Sequence, residues 1–288
     1  MQYIGYLFFR FIVFLFSLLS FNALYKVADF LAWFLYHAIG YLKEVVFKQL
    51  RDSFPDKSDS EIERIATASY LNLADIIVES LKGFSMTEAD FRQRYIFPNP
   101  SVSNDFTAKG QSVVHNATHN GNWEWGAITY PLWLNCTVVG FYKPLSNVYI
   151  NEYGLKQRTK FGIRLLPIGQ TAQGFIDFKD QTVVYAFVSD QSTWSDKAHW
   201  VTFLGQDTAC PPGVDKYTRT LNTAAIFLDT QRVKRGFYEV SFHLLAENAA
   251  ELPDGEITKR YMAKLESILL KQPENWLWSH KRWKKKRV

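Results

Sequence analysis

Cysteine is almost missing from this chain of 288 residues. The two present, Cys136 and Cys210, stand far apart in no metal or redox motif, which argues against a disulfide framework and favours a cytosol-facing body. Internal repeats and long low-complexity linkers are also lacking, and beyond the N-terminal region no shift in composition marks a second domain. A signal peptide would carry its positive charge ahead of the apolar run and small residues at a cleavage site after it, and neither is well formed. The net charge is +5 and the pI about 9.0, so an anionic partner is expected. No nucleic-acid motif accompanies that charge, which makes nucleic acid the weakest of the possible partners.

Aromatics are plentiful. They make up 16% of the residues, with 23 Phe, 15 Tyr and 9 Trp, and Trp and Tyr favour places where one end is apolar and the other wet. From Tyr3 to Phe21 nearly every residue is apolar, with Arg10 the only charge. As a single helix this run would cover about 28 Å, close to the roughly 30 Å hydrocarbon core of a bilayer. Arg10 is tolerable there if its head snorkels or meets an anionic lipid. Ala23 to Gly40 continues as a mildly amphipathic helix, with Lys26 and Asp29 on a polar face and Phe30, Trp33, Phe34 and Tyr36 turned to lipid or to the protein body. The alternative is a pair of buried core helices.

From Lys43 to Glu79 the pattern becomes helical and charged. A break at Phe54-Pro55-Asp56 divides it, and Ser58 or Ser60 caps the second helix ahead of Glu61 and Glu63. Beyond Gly110, β-branched runs (QSVVHNATH, CTVVGFY, IRLLPI, TVVYAFVSD) alternate with helical stretches, which predicts an α/β fold with a central sheet. Further strands are expected at Ala224–Phe227 and Tyr238–Leu245, a turn at Phe203-Leu204-Gly205, and a last helix over Ile257–Lys271 that opens at Thr258 and stops before Pro273.

The most informative stretch is Val113–Ala127, VVHNATHNGNWEWGA. A strand ending near His119, a turn at Asn120-Gly121 and a helix beginning around Asn122 would place His119 where α/β proteins bind ligands. Glu124 then falls in the first helical turn, able to accept from one imidazole nitrogen and leave the other free to take a proton from a hydroxyl. Backbone N–H groups at the Asn122 helix start would steady an oxyanion. Two plainer readings compete. His115 and His119 form HxxxH, a metal pair on a helix, but the flanks are strand-like and a third ligand is uncertain. The histidine and glutamate could also be structural polar residues at a strand end. Lys143, Arg158, Lys160 and Arg164 suit a phosphate or a developing carbonyl charge, although such sets are usually solvated. Asp190-Gln191 ends a buried-looking strand, another favoured site position.

In order, these segments resemble the bacterial lipid A biosynthesis acyltransferases, the late or secondary acyltransferases. The likeness spans nearly the whole chain. It rests on the hydrophobic N-terminus followed by SFPDKSDSEIERIA, on HNGNWE with its His-x4-Glu signature, on KPLSN with R-x-x-FGIRLLP and the later SDQ block, and on the ending PENWLWSHKRWKKK. The family box has an aromatic where this chain has Asn120, and often FFG where it has Phe203-Leu204-Gly205. Tyr217 and Arg219 fall in a normally small, apolar stretch. These departures leave the chemistry in place and bear on the acceptor.

The resemblance implies a glycerolipid-acyltransferase-like α/β fold, a mostly parallel sheet flanked by helices behind an N-terminal membrane-anchor helix. Residues 1–42 would be anchor and amphipathic helix, and residues 43–288 the acyltransferase domain with a basic, Trp-rich tail. It implies transfer of an acyl chain from an acyl carrier protein or coenzyme A thioester to a hydroxyl of a lipid A precursor, at the cytoplasmic face of the bacterial inner membrane, with a phospholipid, aminolipid or other glycolipid as the alternative acceptor. His119 matches the base and Glu124 its partner; Arg158 and Asp190 match residues that hold substrate or shape the site, with Asn122, Lys143 and Arg164 as further binding candidates. A thioester is already activated, so no metal or cofactor is required. Trp276, Trp278 and Trp283, interleaved with Lys281, Arg282, Lys284, Lys285, Lys286 and Arg287, suit an anionic membrane surface or an acidic carrier protein.

Overall fold

Ser20 divides the apolar N-terminus in two. The computed structural model describes residues 1–287, so the last residue of the expected 43–288 domain lies outside it. Helix α1 covers Gln2–Leu18, Leu19 is extended, and the Ser20 hydroxyl accepts from the Ala23 N–H to cap α2, Phe21–Trp33. The run expected as one membrane-anchor helix from Tyr3 to Phe21 is therefore broken by a capping serine. Among the described residues no single helix is long and apolar enough to cross a membrane. A π-helical turn, Phe34–Ile39, continues α2 to Gly40, and α3, Lys43–Ser53, leaves it at 96°.

Helix α4, Asp59–Gly83, opens as the sequence predicts: Ser58 and Glu61 form a reciprocal capping box. It is the spine on which the N-terminal helices lie, with Leu24, Ala28 and Ala32 of α2 buried against Ala74 and Val78. Asp29 on the polar face of α2 pairs with Arg235 at 2.6 Å, and Tyr36 is buried with its hydroxyl on Glu63. The outer faces stay bare: Ile4, Phe8, Phe11, Phe14, Leu18, Phe30 and Trp33 are all exposed.

The body follows as α5 (Glu88–Arg94), β1 (Tyr95–Ile96), α6 (Ser101–Ala108), β2 (Val113–Ala117), α7 (Trp123–Thr129), β3 (Thr137–Tyr142), α8 (Val148–Arg158), β4 (Arg164–Pro167), α9 (Thr171–Asp177) and β5 (Val183–Val188). Then come β6 (His199–Phe203), β7 (Gln206–Cys210), α10 (Gly213–Thr220), β8 (Ala224–Lys234), β9 (Phe237–Ala246) and α11 (Glu256–Leu269). Seven strands form the central sheet in the order β1-β9-β8-β2-β5-β3-β4, parallel throughout except between β8 and β9. The expected mostly parallel α/β sheet is what forms. Its central strands, such as Val113-Val114 and Val183-Val184, are buried because helices cover both faces.

Strands β6 and β7 make a separate antiparallel hairpin whose turn is Leu204-Gly205, both at positive φ (49° and 72°), the two-residue turn that suits the twist of a hairpin. The last helix begins earlier than Thr258. Gly255 precedes it, and the buried carboxylate of Asp215 in α10 accepts from the N–H groups of Ile257 and Thr258, so the cap comes from another element.

The C-terminal segment corrects the membrane-surface reading of its tryptophans. Trp276, Trp278 and Arg282 are buried, and each finds an interior acceptor: Asp190, the Pro273 carbonyl and the Ala209 carbonyl respectively. Lys281, Lys284, Lys286 and Arg287 remain exposed around them.

Candidate active site

Strands β2 and β5 are neighbours with Ala117 opposite Val188. Two residues beyond each, His119 and Asp190 therefore leave the carboxyl end of the sheet level with one another, where open α/β sheets bind ligands. Asp190 Oδ1 lies 2.6 Å from His119 Nδ1, and Oδ2 accepts from the His119 main-chain N–H at 2.8 Å. A third donor, Trp276 Nε1, reaches Oδ2 at 2.8 Å. Burial alone would push the Asp190 carboxyl up. The charge and hydrogen bonds of His119 and the indole N–H of Trp276 outweigh it and hold the group below the usual carboxylate range. An ionised Asp190 keeps the proton of a neutral ring on Nδ1 and leaves Nε2 as the acceptor, toward which the Gln191 amide donates at 3.2 Å. The edge of Trp123 closes against the ring at 5.1 Å between centroids.

This arrangement corrects the expected pairing of His119 with Glu124. Glu124 sits in the first turn of α7, as predicted, but it is held by Arg158 at the end of α8, whose Nη2 and Nε donate to the same oxygen at 2.8 and 3.1 Å. Strand pairing gives the histidine a buried carboxylate from β5, and α7 presents Glu124 to α8 instead.

Asn122, another expected binding residue, is fully buried and caps α7: its Oδ1 accepts from the Trp125 N–H and its Nδ2 donates to Glu79. Glu79 also accepts from the hydroxyls of Tyr25 and Tyr238. Burial pushes its carboxyl up in spite of these donors. Lys143 follows β3 at the same edge of the sheet as His119 and is exposed. Arg164 opens the edge strand β4, at the amino end, so the structure does not bring it to the His119–Asp190 pair. Lys160 is spent on the Gly83 and Met86 carbonyls.

The HxxxH pair does not share a helical face. His115 is buried within β2 with Nε2 on the Ser103 hydroxyl, and burial pushes its ring down to about 3. The one cluster of metal-type groups among the described residues is His199, Asp215 and Asp254. Arg219 lies 2.6 Å from Asp254 and 3.7 Å from Asp215, and so fills the electrostatic need there.

Beside Thr118 and Trp123 lies an apolar cleft of about 80 Å³, walled by Tyr95, Phe97, Tyr130 and Val240, with the small residues Gly126, Ala127, Gly140 and Ala186 also lining it. The turn before it is tightly drawn. Gly121 has φ +64°, a Cβ there would lie 2.9 Å from Thr230 Cγ2, and its N–H donates to the Asn275 carbonyl at 2.9 Å.

A histidine oriented by a buried aspartate, with neighbours that line an apolar cleft at the end of a mostly parallel sheet, suits a general-base site for a substrate with a hydrocarbon part. The family model of the bacterial lipid A biosynthesis acyltransferases matches residues 1–285, and the chain belongs to that family. It is thus an acyltransferase acting on lipid A-type substrates. No curated protein matches the chain in a direct comparison.

Proposed function

We propose that the chain moves a fatty acyl group from an acyl thioester, on acyl carrier protein or coenzyme A, to a hydroxyl of a lipid A precursor, with His119 as general base. The observation that carries this reading is the His119–Asp190 pair, whose neighbours Thr118, Trp123 and Val188 line the apolar cleft. The acceptor hydroxyl gives its proton to His119 Nε2 as its oxygen attacks the thioester carbon. The tetrahedral intermediate collapses, the C–S bond breaks, and the proton passes from His119 to the departing thiolate. Such proton transfer is worth roughly 100- to 10,000-fold in rate. The N–H groups of Trp123 and Glu124 at the start of α7, free of helix carbonyls, are the proposed donors to the oxyanion, while that of Trp125 is held by Asn122. Arg158, balanced by Glu124, is the proposed cation for the acceptor or the developing charge. The donor's chain lies in the cleft, where each buried methylene contributes about 0.8 kcal/mol.

The bare apolar faces of α1 and α2 support docking on a membrane surface. Phe8 at 67% exposure and Phe30 at 64% have no partner within the chain large enough to cover them.

The test is acyl transfer by purified protein in detergent, with acyl carrier protein thioester and a tetra-acylated lipid A precursor, read by mass spectrometry. A mass gain of one acyl chain that disappears in His119→Ala is expected. Transfer only to a phospholipid or aminolipid would overturn the acceptor, and transfer unaffected by His119→Ala would overturn the base.

A further inference from the structure

We infer that Trp276 is a positioning residue of the acyl-transfer site, holding Asp190 and the His119 loop in one register through the C-terminal segment. This rests on the reading of His119 as the base.

Two contacts made by two adjacent residues carry it. The Trp276 indole N–H donates to Asp190 Oδ2 at 2.8 Å. The main chain pairs as an isolated antiparallel bridge of Trp276 with Asn120, next to His119, held by the Gly121 N–H donating to the Asn275 carbonyl at 2.9 Å. The segment therefore grips both halves of the pair, the loop after β2 and the residue after β5. A sheet can bring the two loops level but cannot by itself fix the χ angles of Asp190. With Oδ2 held by two N–H donors, Oδ1 has one orientation, toward His119 Nδ1.

The grip is itself anchored. Asn72 of α4 donates to the Asn275 carbonyl, Gln49 of α3 donates to the Trp278 and His280 carbonyls, and its Oε1 accepts from the Arg282 N–H. His280 Nε2 accepts from the Ser192 N–H, two residues past Asp190. The Trp276 ring packs between Trp278 and Phe203, at 4.8 and 5.9 Å between centroids. The indole is thus fixed before any substrate arrives, which is what pre-organisation of a catalytic pair requires.

The test compares Trp276→Phe with Trp278→Phe. Trp278 is equally buried, and its indole N–H donates to the Pro273 carbonyl, away from Asp190. Trp276→Phe is expected to lower kcat by roughly 10- to 100-fold with KM changed less than about twofold. It should also move the acid limb of the kcat–pH profile upward, because an Asp190 that loses a donor turns more of its negative charge on the His119 ring and favours its protonated form. The other titratable groups that feel Asp190, namely His119, His280, Cys210 and Tyr261, are the same in both variants. Trp278→Phe keeps a ring against Trp276 and the Trp276 indole N–H on Asp190, so it should lower stability and lower kcat less than Trp276→Phe does, without moving the limb. Wild-type kcat and an unmoved limb in Trp276→Phe, or equal shifts in both variants, would overturn the proposal.

A second measurement needs neither activity nor a folded Trp276 variant. In ¹⁵N-tryptophan-labelled protein, an indole N–H resonance that persists in Trp123→Phe should follow the midpoint of the histidine ring signal that His119→Ala deletes. If no indole resonance other than that of Trp123 follows that signal, Trp276 does not report on the pair and the proposal fails. If it does follow while no acyl acceptor is ever found, the contact stands and the proposed reaction falls.

Discussion

Arg158 spends two donors, Nη2 at 2.8 Å and Nε at 3.1 Å, on one oxygen of Glu124. Glu124 is thereby tied to α8, and Nδ1 of His119 is left to Asp190. The two carboxylates consequently have separate work. Glu124→Gln should weaken the hold on Arg158 and lower kcat/KM by roughly 10- to 100-fold without moving the acid limb of the pH profile. Steady-state kinetics across pH decides this, and a moved limb would return Glu124 to the histidine.

The cleft makes a prediction about chain length. Ala186 lines it from β5, the strand beside His115. Ala186→Leu should remove room for about two to three methylenes, at about 0.8 kcal/mol each, or roughly fourfold in kcat/KM per carbon. Competition between short and long acyl thioesters is the measurement. A loss equal for all lengths would place the donor chain elsewhere.

Phe11 and Phe30 belong to the bare face of α1 and α2 and touch nothing in the site. Their double replacement by Glu should reduce partition onto phospholipid vesicles at least about tenfold, since burying a Phe contributes roughly 1.5–3 kcal/mol. Transfer to detergent-dispersed acceptor should stay near normal. Unchanged vesicle flotation would remove these helices from the docking surface.

His115 gives stability a pH dependence of known sign. Its folded value is about 3 because of burial, against about 6.5 in an open chain. Between these values the unfolded chain binds a proton that the folded one refuses. Stability is therefore full above about 6.5 and falls as the pH drops through the window, by about 1.4 kcal/mol per unit. Melting midpoints at pH 7 and pH 5 should differ less in His115→Gln than in the wild type. An equal fall in both would assign the dependence to other groups, such as His280, held down to about 4 by burial.

The sheet was legible from the Val-rich runs because period and flanking turns are local properties. The capping box at Ser58 and the turn at Leu204-Gly205 were legible for the same reason. The partner of His119 was not. His-x4-Glu fixes a distance along the chain, whereas Asp190 arrives through the parallel pairing of β2 with β5, which no spacing encodes. The strand-end position of Asp190-Gln191 was the available signal. Trp276 was misplaced for a related reason: a tryptophan among lysines reads as interfacial until a buried acceptor for its N–H is known. The N-terminal run was read as one helix because its composition is uniform, and only the Ser20 cap divides it.

The most direct measurement is kcat for acyl transfer by His119→Ala and Asp190→Asn beside the wild type, with folding checked by circular dichroism. His119→Ala should lose transfer almost entirely. Asp190→Asn should fall by about 1,000- to 10,000-fold, because an amide no longer holds the ring in the tautomer that leaves Nε2 free. A folded Asp190→Asn enzyme within a few-fold of the wild type would contradict the His119–Asp190 pair as the source of catalysis.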